Sequence, residues 1–221
     1  MLEKLGNKKL LICFVALAIV AVVGMVVLLT ITGVPGQDVY SGVNVEKVVD
    51  LGEYKGLTLQ IADGTSESVI RSNLLSKVVI DSEVEKFPAK VIKKYVKENR
   101  EYYEGIAADY GYDSLELYVT EQFQYTLEDF EMYIEEYSKS KAKSEMVILA
   151  IAKAEGLEVT DAEVKTYCDG ILQQEGYTEE TFAQVYGMSM ADYAEEQDFQ
   201  FNLLQDKVLT LLQENATVEY V

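Results

Sequence analysis

The side chains best suited to acid–base chemistry in this sequence are its carboxylates, because 38 of the 221 residues are Asp or Glu and none is His. Without histidine, Ser-His-Asp and Cys-His catalysis and histidine-ligated metal sites are excluded. The sequence has no G-x-x-x-x-G-K-[ST] loop and no G-x-G-x-x-G after a strand. A carboxylate pair for glycoside hydrolysis stays open in principle, but we expect the acids to be solvated surface groups. We therefore predict that the chain is not an enzyme and uses no metal or cofactor.

Tyrosine and methionine form the second distinctive set, with 16 Tyr and six Met but no Trp. They crowd two stretches, residues 102–133 and 177–190. Core packing explains most aromatic residues of a helical protein. The alternative is an adaptable contact surface for varied apolar partners. The candidates for binding such client polypeptides are Tyr102, Tyr103, Tyr110, Tyr112, Tyr118, Tyr125, Met132, Tyr133, Tyr177, Tyr186, Met188 and Met190.

A basic stripe is the third feature, since Lys90, Lys93, Lys94 and Lys97 follow the i, i+3, i+4, i+7 spacing of one helical face. We expect this face to be solvated and paired with acidic neighbours. A second interpretation is that the stripe approaches anionic lipid headgroups or a cell-wall polyanion.

An apolar segment at residues 10–34 predicts a transmembrane anchor, because no charge occurs between Lys9 and Asp38. Twenty-five helical residues span roughly 37 Å, enough to cross a hydrocarbon core of about 30 Å with some tilt. The segment is longer than the apolar core of a cleaved signal peptide and has no A-x-A-like exit. We therefore expect an uncleaved anchor that contacts the lipid bilayer, and a cleaved signal peptide is the alternative.

Lysines before the anchor predict its orientation by the positive-inside rule. Residues 1–9 then form a cytoplasmic N-terminus, and we expect the chain from residue 36 onward to lie outside the cell membrane in a single-pass arrangement. Residues 35–44 are predicted to be a juxtamembrane linker, and residues 45–221 form one extracytoplasmic domain. Cys13 lies in the anchor, and we expect Cys168 to be a buried thiol on an apolar stripe.

The charge of the outer part excludes one class of partner. Residues 1–9 carry three lysines and one acid, so the rest of the chain holds 37 acids against 16 bases, a net charge of −21. Phosphate backbones would repel such a surface, and we expect neither nucleic-acid binding nor docking on ribosomal RNA.

The elements that must position these residues are mostly helices. Apolar spacing, capping residues and glycines predict a mainly α fold with little β-strand. Strands are predicted at residues 45–50, 57–61 and 217–221, and helices at 66–82, 88–110, from 113, at 126–156, 160–176, 178–186 and in one stretch from 189. The apolar run at residues 146–152 predicts a helix covered by neighbours on several sides.

Four segments in order resemble one family. Residues 48–57, with Leu51-Gly52-Glu53-Tyr54-Lys55-Gly56-Leu57, look like the L-G-D-Y-K-G-L segment of bacterial trigger factors. Residues 73–88, 145–164 and 207–218 are similar to the first helix, the E-G-hydrophobic turn with its V-T-D-x-E-V restart, and the closing helix and strand of the trigger-factor C-terminal chaperone domain. The resemblance implies a SurA-like peptide-binding fold of several helices with helical arms.

The departures from the family pattern shape the expected function. The ribosome-docking G-F-R-x-G-K segment is absent, and residues 58–68 alone lie where the family has its prolyl-isomerase domain. An anchor, which cytosolic trigger factors lack, is also predicted here. The resemblance and this anchor together imply a membrane-tethered, ATP-independent holdase that binds unfolded or translocating secreted polypeptides, without ribosome docking. The alternatives are a cell-envelope adaptor that holds one folded partner, or a prolyl isomerase by family name.

Overall fold

A computed structural model describes residues 37–221. Within that range, no helix is both long and apolar enough to cross a membrane, and the predicted anchor at residues 10–34 lies outside it. The described chain starts with a 3₁₀ turn at Gln37–Tyr40. The elements that follow are α1 (Val45–Val48), β1 (Val49–Asp50), β2 (Thr58–Ile61), α2 (Glu67–Asp81), β3 (Glu83–Val84), α3 (Ala89–Asp109), α4 (Leu115–Phe123), α5 (Leu127–Glu155), α6 (Asp161–Glu175), α7 (Glu179–Tyr186), α8 (Met190–Glu196), α9 (Phe199–Glu214) and β4 (Thr217–Tyr220).

The helix ends that rest on local chemistry are confirmed. Thr126 caps α5 and Thr160 caps α6, each in a reciprocal capping box with the residue three positions later. Both helices end at a glycine in the left-handed region, Gly156 with φ +65° and Gly176 with φ +74°.

Two local predictions are wrong. Residues 45–48 form a helical turn instead of a strand, since the N–H of Val49 bonds to the carbonyl of Val45; strand extends over Val49–Asp50 alone. The predicted last helix is two helices, because Asp198 adopts a left-handed φ of +50° and its carboxylate accepts the N–H of Phe201 as the cap of α9. Apolar spacing continues through this break and conceals it.

The body of the domain is the set formed by α1, α2, the C-terminal half of α5, α9 and the four strands. Strand β4 pairs in parallel with β2, from Thr58 opposite Thr217 to Ile61 opposite Tyr220, which confirms the predicted terminal strand. Strands β1 and β3 pair antiparallel. The all-round apolar run of α5 lies in the centre of this core, as predicted. Its fully buried members are Met146, Val147, Ile148 and Ile151.

The segment that resembles the trigger-factor L-G-x-Y-K-G pattern contacts the C-terminal ends of two helices, α2 and α5. At Gly52, a Cβ would lie 2.7 Å from the backbone of Asp81 at the end of α2, so the approach requires glycine. The hydroxyl of Tyr54 donates to Glu155 at 2.7 Å, and the ammonium of Lys55 donates to the same carboxylate at 2.8 Å. These contacts hold residues 52–55 against the C-terminus of α5.

A buried carboxylate joins the start of the described chain to this body. Glu145 of α5 is 0% exposed, and its Oε2 accepts the hydroxyls of Tyr40 at 2.6 Å and Tyr95 at 2.5 Å. Burial raises the pKa of Glu145 to about 7, although nearby Lys141 and the two hydroxyl donors favour the charged form. Tyr40, 5% exposed, is thus a core residue five positions before the predicted domain start.

Candidate functional site

The first arm is a helical hairpin with its own small core. It comprises the C-terminal half of α3, all of α4 and the N-terminal half of α5, and its buried residues form a cluster separate from that of the body. Ser114 caps α4 by accepting the N–H of Leu117, and Gln124 ends α4 in the left-handed region. The core of the first arm consists of Ala107, Leu115, Tyr118, Val119, Phe130 and Ile134.

Aromatic rings hold the first arm together and also reach its surface. Tyr103 packs edge-to-face on Phe130 at 5.0 Å between ring centroids and on Tyr102 at 5.4 Å. Phe123 packs edge-to-face on Tyr118 at 5.6 Å. Such pairs contribute about 0.5–1.5 kcal/mol each beyond area burial. The network therefore orders side chains that are still open to solvent.

The structure separates the sequence candidates on this arm into three groups. Tyr118 is 8% exposed and serves as a core residue, so it offers no contact surface in this arrangement. Burial raises the pKa of half-buried Tyr103 to about 12. The half-buried candidates are Tyr103, Tyr112, Tyr125 and Tyr133, and the exposed ones are Tyr102, Tyr110 and Met132.

The second arm comprises α6, α7 and α8 and repeats this design with a different packing centre. Phe182 is 2% exposed, and it stacks on Tyr186 with 4.3 Å between centroids. Tyr186 is exposed, whereas Tyr177 and Met188 are half-buried. Met190 is 1% exposed and belongs to the core of this arm.

Cys168 lies in the same cluster and is buried, as predicted. Burial raises the pKa of its thiol, which lowers the thiolate fraction.

A cleft of about 1150 Å³ opens between α3 and the second arm. Its apolar lining includes Val39 of the 3₁₀ turn, Val164 of α6 and Ala194 of α8. Eight carboxylates and two lysines, Lys94 and Lys165, also line it, so the rim is acidic. The cleft is larger than the usual 300–1,000 Å³ of a small-molecule site.

Residues 55–214 match the family described as bacterial trigger factor protein (TF) C-terminus. The chain belongs to the trigger factor C-terminal family. Membership implies chaperone activity in general, and the family named by the four sequence segments is confirmed over this range.

A structure of domains of trigger factor from Thermotoga maritima is 17% identical, and the alignment covers 87% of this chain and 94% of that one with a TM-score of 0.46. No curated protein matches the chain.

Four exposed apolar residues of the two arms were not among the sequence candidates. Leu117 and Phe123 on the first arm are 41% and 42% exposed, and Tyr167 and Val185 on the second arm are 44% and 62% exposed. The signal for Leu117 was present in α4, where four of the five residues 115–119 are apolar. A helix buries apolar residues on one face, so one of four in such a run must point elsewhere.

The lysines of the basic stripe have different partners in the structure. Lys94 pairs with Glu98 at 3.6 Å, and Lys97 pairs with Glu101 at 3.5 Å, in agreement with the predicted acidic neighbours. Lys90 instead donates to the backbone carbonyl of Ser41 at 2.9 Å.

Among residues 37–221, no three His, Cys, Asp or Glu side chains are grouped to hold a metal ion.

Proposed function

We propose that this chain is a membrane-tethered, extracytoplasmic, ATP-independent chaperone that holds unfolded or translocating polypeptides. Client segments would contact the exposed apolar side chains of the two arms and enter the cleft beside the second arm. The observation that carries the proposal is the exposure of large apolar side chains on an ordered aromatic framework, with Tyr102 61% and Met132 55% exposed.

The chemistry of these side chains fits clients of varied sequence. Methionine is flexible and polarisable, and tyrosine presents an apolar ring with a polar end, so both adapt to different apolar segments. Weak individual contacts suffice near a membrane, because tethering raises the effective concentration of the arms around an emerging chain. The net charge of −21 beyond residue 9 favours dispersal of loaded complexes by repulsion.

The tether rests on the apolar segment at residues 10–34 and the lysines before it. We expect the full chain to fractionate with membranes. Protease added outside intact cells, after removal of any wall, should degrade the domain from residue 36 onward. Release of a soluble form that begins near residues 34–37 would show a cleaved signal peptide instead.

Aggregation suppression tests the chaperone activity directly. The full chain in lipid nanodiscs should suppress aggregation of several denatured secreted proteins without ATP. Replacing Tyr102 and Met132 with serine should weaken suppression, because both side chains are exposed and belong to the first arm.

The matched control makes the same kind of change on the body. Val69 and Ile80 of α2 are 39% and 63% exposed, and their replacement with serine should leave suppression intact. An equal loss in both double variants would contradict an arm-based site. No suppression by the parent chain, with one stoichiometric partner captured by crosslinking in cells, would favour the adaptor.

We also propose that the chain is not a prolyl isomerase. It should not accelerate isomerisation of a proline peptide above background, and robust catalysis would contradict this part of the proposal.

A further inference from the structure

The lysine face of α3 lies beside the point where the described chain begins. We define this face as Lys90, Lys93 and Lys97, which are three and four residues apart on exposed turns. Lys90 donates to the carbonyl of Ser41 at 2.9 Å, and Tyr40 next to Ser41 is fixed by its bond to buried Glu145. The first turns of α3 and residues 40–41 are therefore held together.

This face is positively charged, whereas the chain around it is strongly acidic. The chain beyond residue 9 has a net charge of −21, yet residues 89–97 contain four lysines and no acid. Within the described range, no carboxylate lies within ion-pair distance of Lys90 or Lys93, and the Lys97–Glu101 pair is exposed on both sides. An exposed pair of this kind contributes little, so Lys97 stays available to another anion.

The length of the intervening chain limits where this face can lie. Seven residue steps separate residue 34, the end of the apolar segment, from Ser41, and they span at most about 25 Å. If residues 10–34 cross the bilayer, as proposed above, this short connection keeps the start of α3 near the membrane surface. Lysines near an anionic lipid surface are attracted over about a Debye length, roughly 8 Å at physiological ionic strength.

From these contacts and charges we infer that Lys90, Lys93 and Lys97 dock the base of α3 on anionic lipid headgroups. This inference rests on the proposed membrane tether. Docking would hold the domain in one orientation to the membrane. The same anionic headgroups would repel the acidic remainder of its surface. The first interpretation of the stripe, a face paired with acids, then applies to Lys94, which points into the cleft with Glu98.

A tryptophan probe tests the docking, because the natural chain contains no Trp. The full chain with Ala89→Trp, an exposed position at the start of α3, is reconstituted in vesicles that contain brominated lipid. We expect stronger quenching in vesicles with anionic phosphatidylglycerol than in neutral phosphatidylcholine vesicles. Replacing Lys90, Lys93 and Lys97 with Gln should lower the docking equilibrium roughly fivefold per lysine at low salt.

The control replaces Lys77, Lys153 and Lys165, which are exposed lysines outside α3, with Gln in the same probe background. This variant has the same net charge as the first and should keep the quenching of the parent. Molar salt should abolish the difference between the two lipid compositions, because the attraction is electrostatic.

Each other outcome has a definite meaning. Equal quenching in neutral and anionic vesicles, or an unchanged signal in the Lys90, Lys93 and Lys97 variant, would overturn the docking and leave the tether intact. Loss of the parent chain from vesicles on alkaline extraction would overturn the tether and the docking that rests on it. A response to soluble polyglycerol phosphate with none to anionic lipid would assign the face to a wall polymer and overturn the lipid docking.

Discussion

The body and the first arm are both built on helix α5 but differ in what they bury. In the body half, Val147, Ile148 and Ile151 are each 0% exposed and are enclosed by other helices. In the arm half, Phe130 is buried, but Met132 two residues later is 55% exposed. One helix therefore contributes to a closed aliphatic core at one end and leaves a large apolar side chain open to solvent at the other. The difference leads us to expect a larger contribution to stability from the body half of α5 than from exposed side chains of its arm half.

The energies of burial support this division. Burying one aliphatic side chain contributes about 1.5–3 kcal/mol, whereas an exposed ring contributes little to folding. Substitutions in the two halves of α5 should consequently separate stability from client binding.

The largest expected effect is in the body. Ile148→Ala should lower the free energy of unfolding by about 2–5 kcal/mol, because it leaves a cavity in a fully enclosed core. Urea titration of the full chain in nanodiscs, followed by circular dichroism, measures it. Met132→Ala in the arm half should change the same quantity by no more than about 0.5 kcal/mol. Similar losses in both would remove the contrast.

The buried carboxylate of the body provides a pH test. The pKa of Glu145 is raised from 4.5 to about 7, so its protonated form is favoured by folding. Its contribution is fully present below the unfolded pKa and is lost as the pH rises through the folded pKa. The parent chain should therefore lose up to about 3 kcal/mol from this group between about pH 4.5 and pH 8.

Glu145→Gln isolates that contribution, because the other acids titrate in both proteins. The difference in unfolding free energy between parent and variant should move in favour of the variant as the pH rises. A difference independent of pH would show that Glu145 stays ionised in the folded chain, as its two tyrosine hydroxyl donors favour.

A smaller effect is expected at the start of the arm half of α5. Thr126→Ala removes the hydroxyl that accepts the N–H of Asp129, while the backbone N–H of residue 126 can still donate to the Asp129 carboxylate; the loss should cost about 1 kcal/mol. Hydrogen exchange should show faster opening of the first turn of α5 and no change at residues 146–152. Thr160→Ala, which removes the equivalent hydroxyl acceptor of α6, is the matched control and should affect the second arm alone.

The smallest effect on stability is expected at the exposed surface of the arm. Replacing Tyr102 with serine should lower the unfolding free energy by about 0.5 kcal/mol, the low end for an edge-to-face pair, since the ring is 61% exposed. A clearly larger loss, measured by the same urea titration, would mean that its edge-to-face contact with Tyr103 supports the arm core.

Local chemistry in the sequence was sufficient for part of this structure. The caps at Thr126 and Thr160 and the glycine stops at Gly156 and Gly176 depend on neighbours within a few residues, so the ends of α5 and α6 were predictable. The apolar run at residues 146–152 had to be enclosed, because a helix that is apolar all round cannot face water. Four ordered segments were enough to indicate the family.

Tertiary contacts decided the remainder. Tyr102 and Tyr118 are the same residue type on the same arm, yet one is 61% and the other 8% exposed, because neighbouring helices cover only the second. Tyr40 joins the core through a carboxylate 105 residues away, a distance that no local pattern records. The break at Asp198 is hidden by apolar spacing that continues on both sides. Periodicity reports the face that a helix buries, and the partner that covers that face is chosen by the fold as a whole.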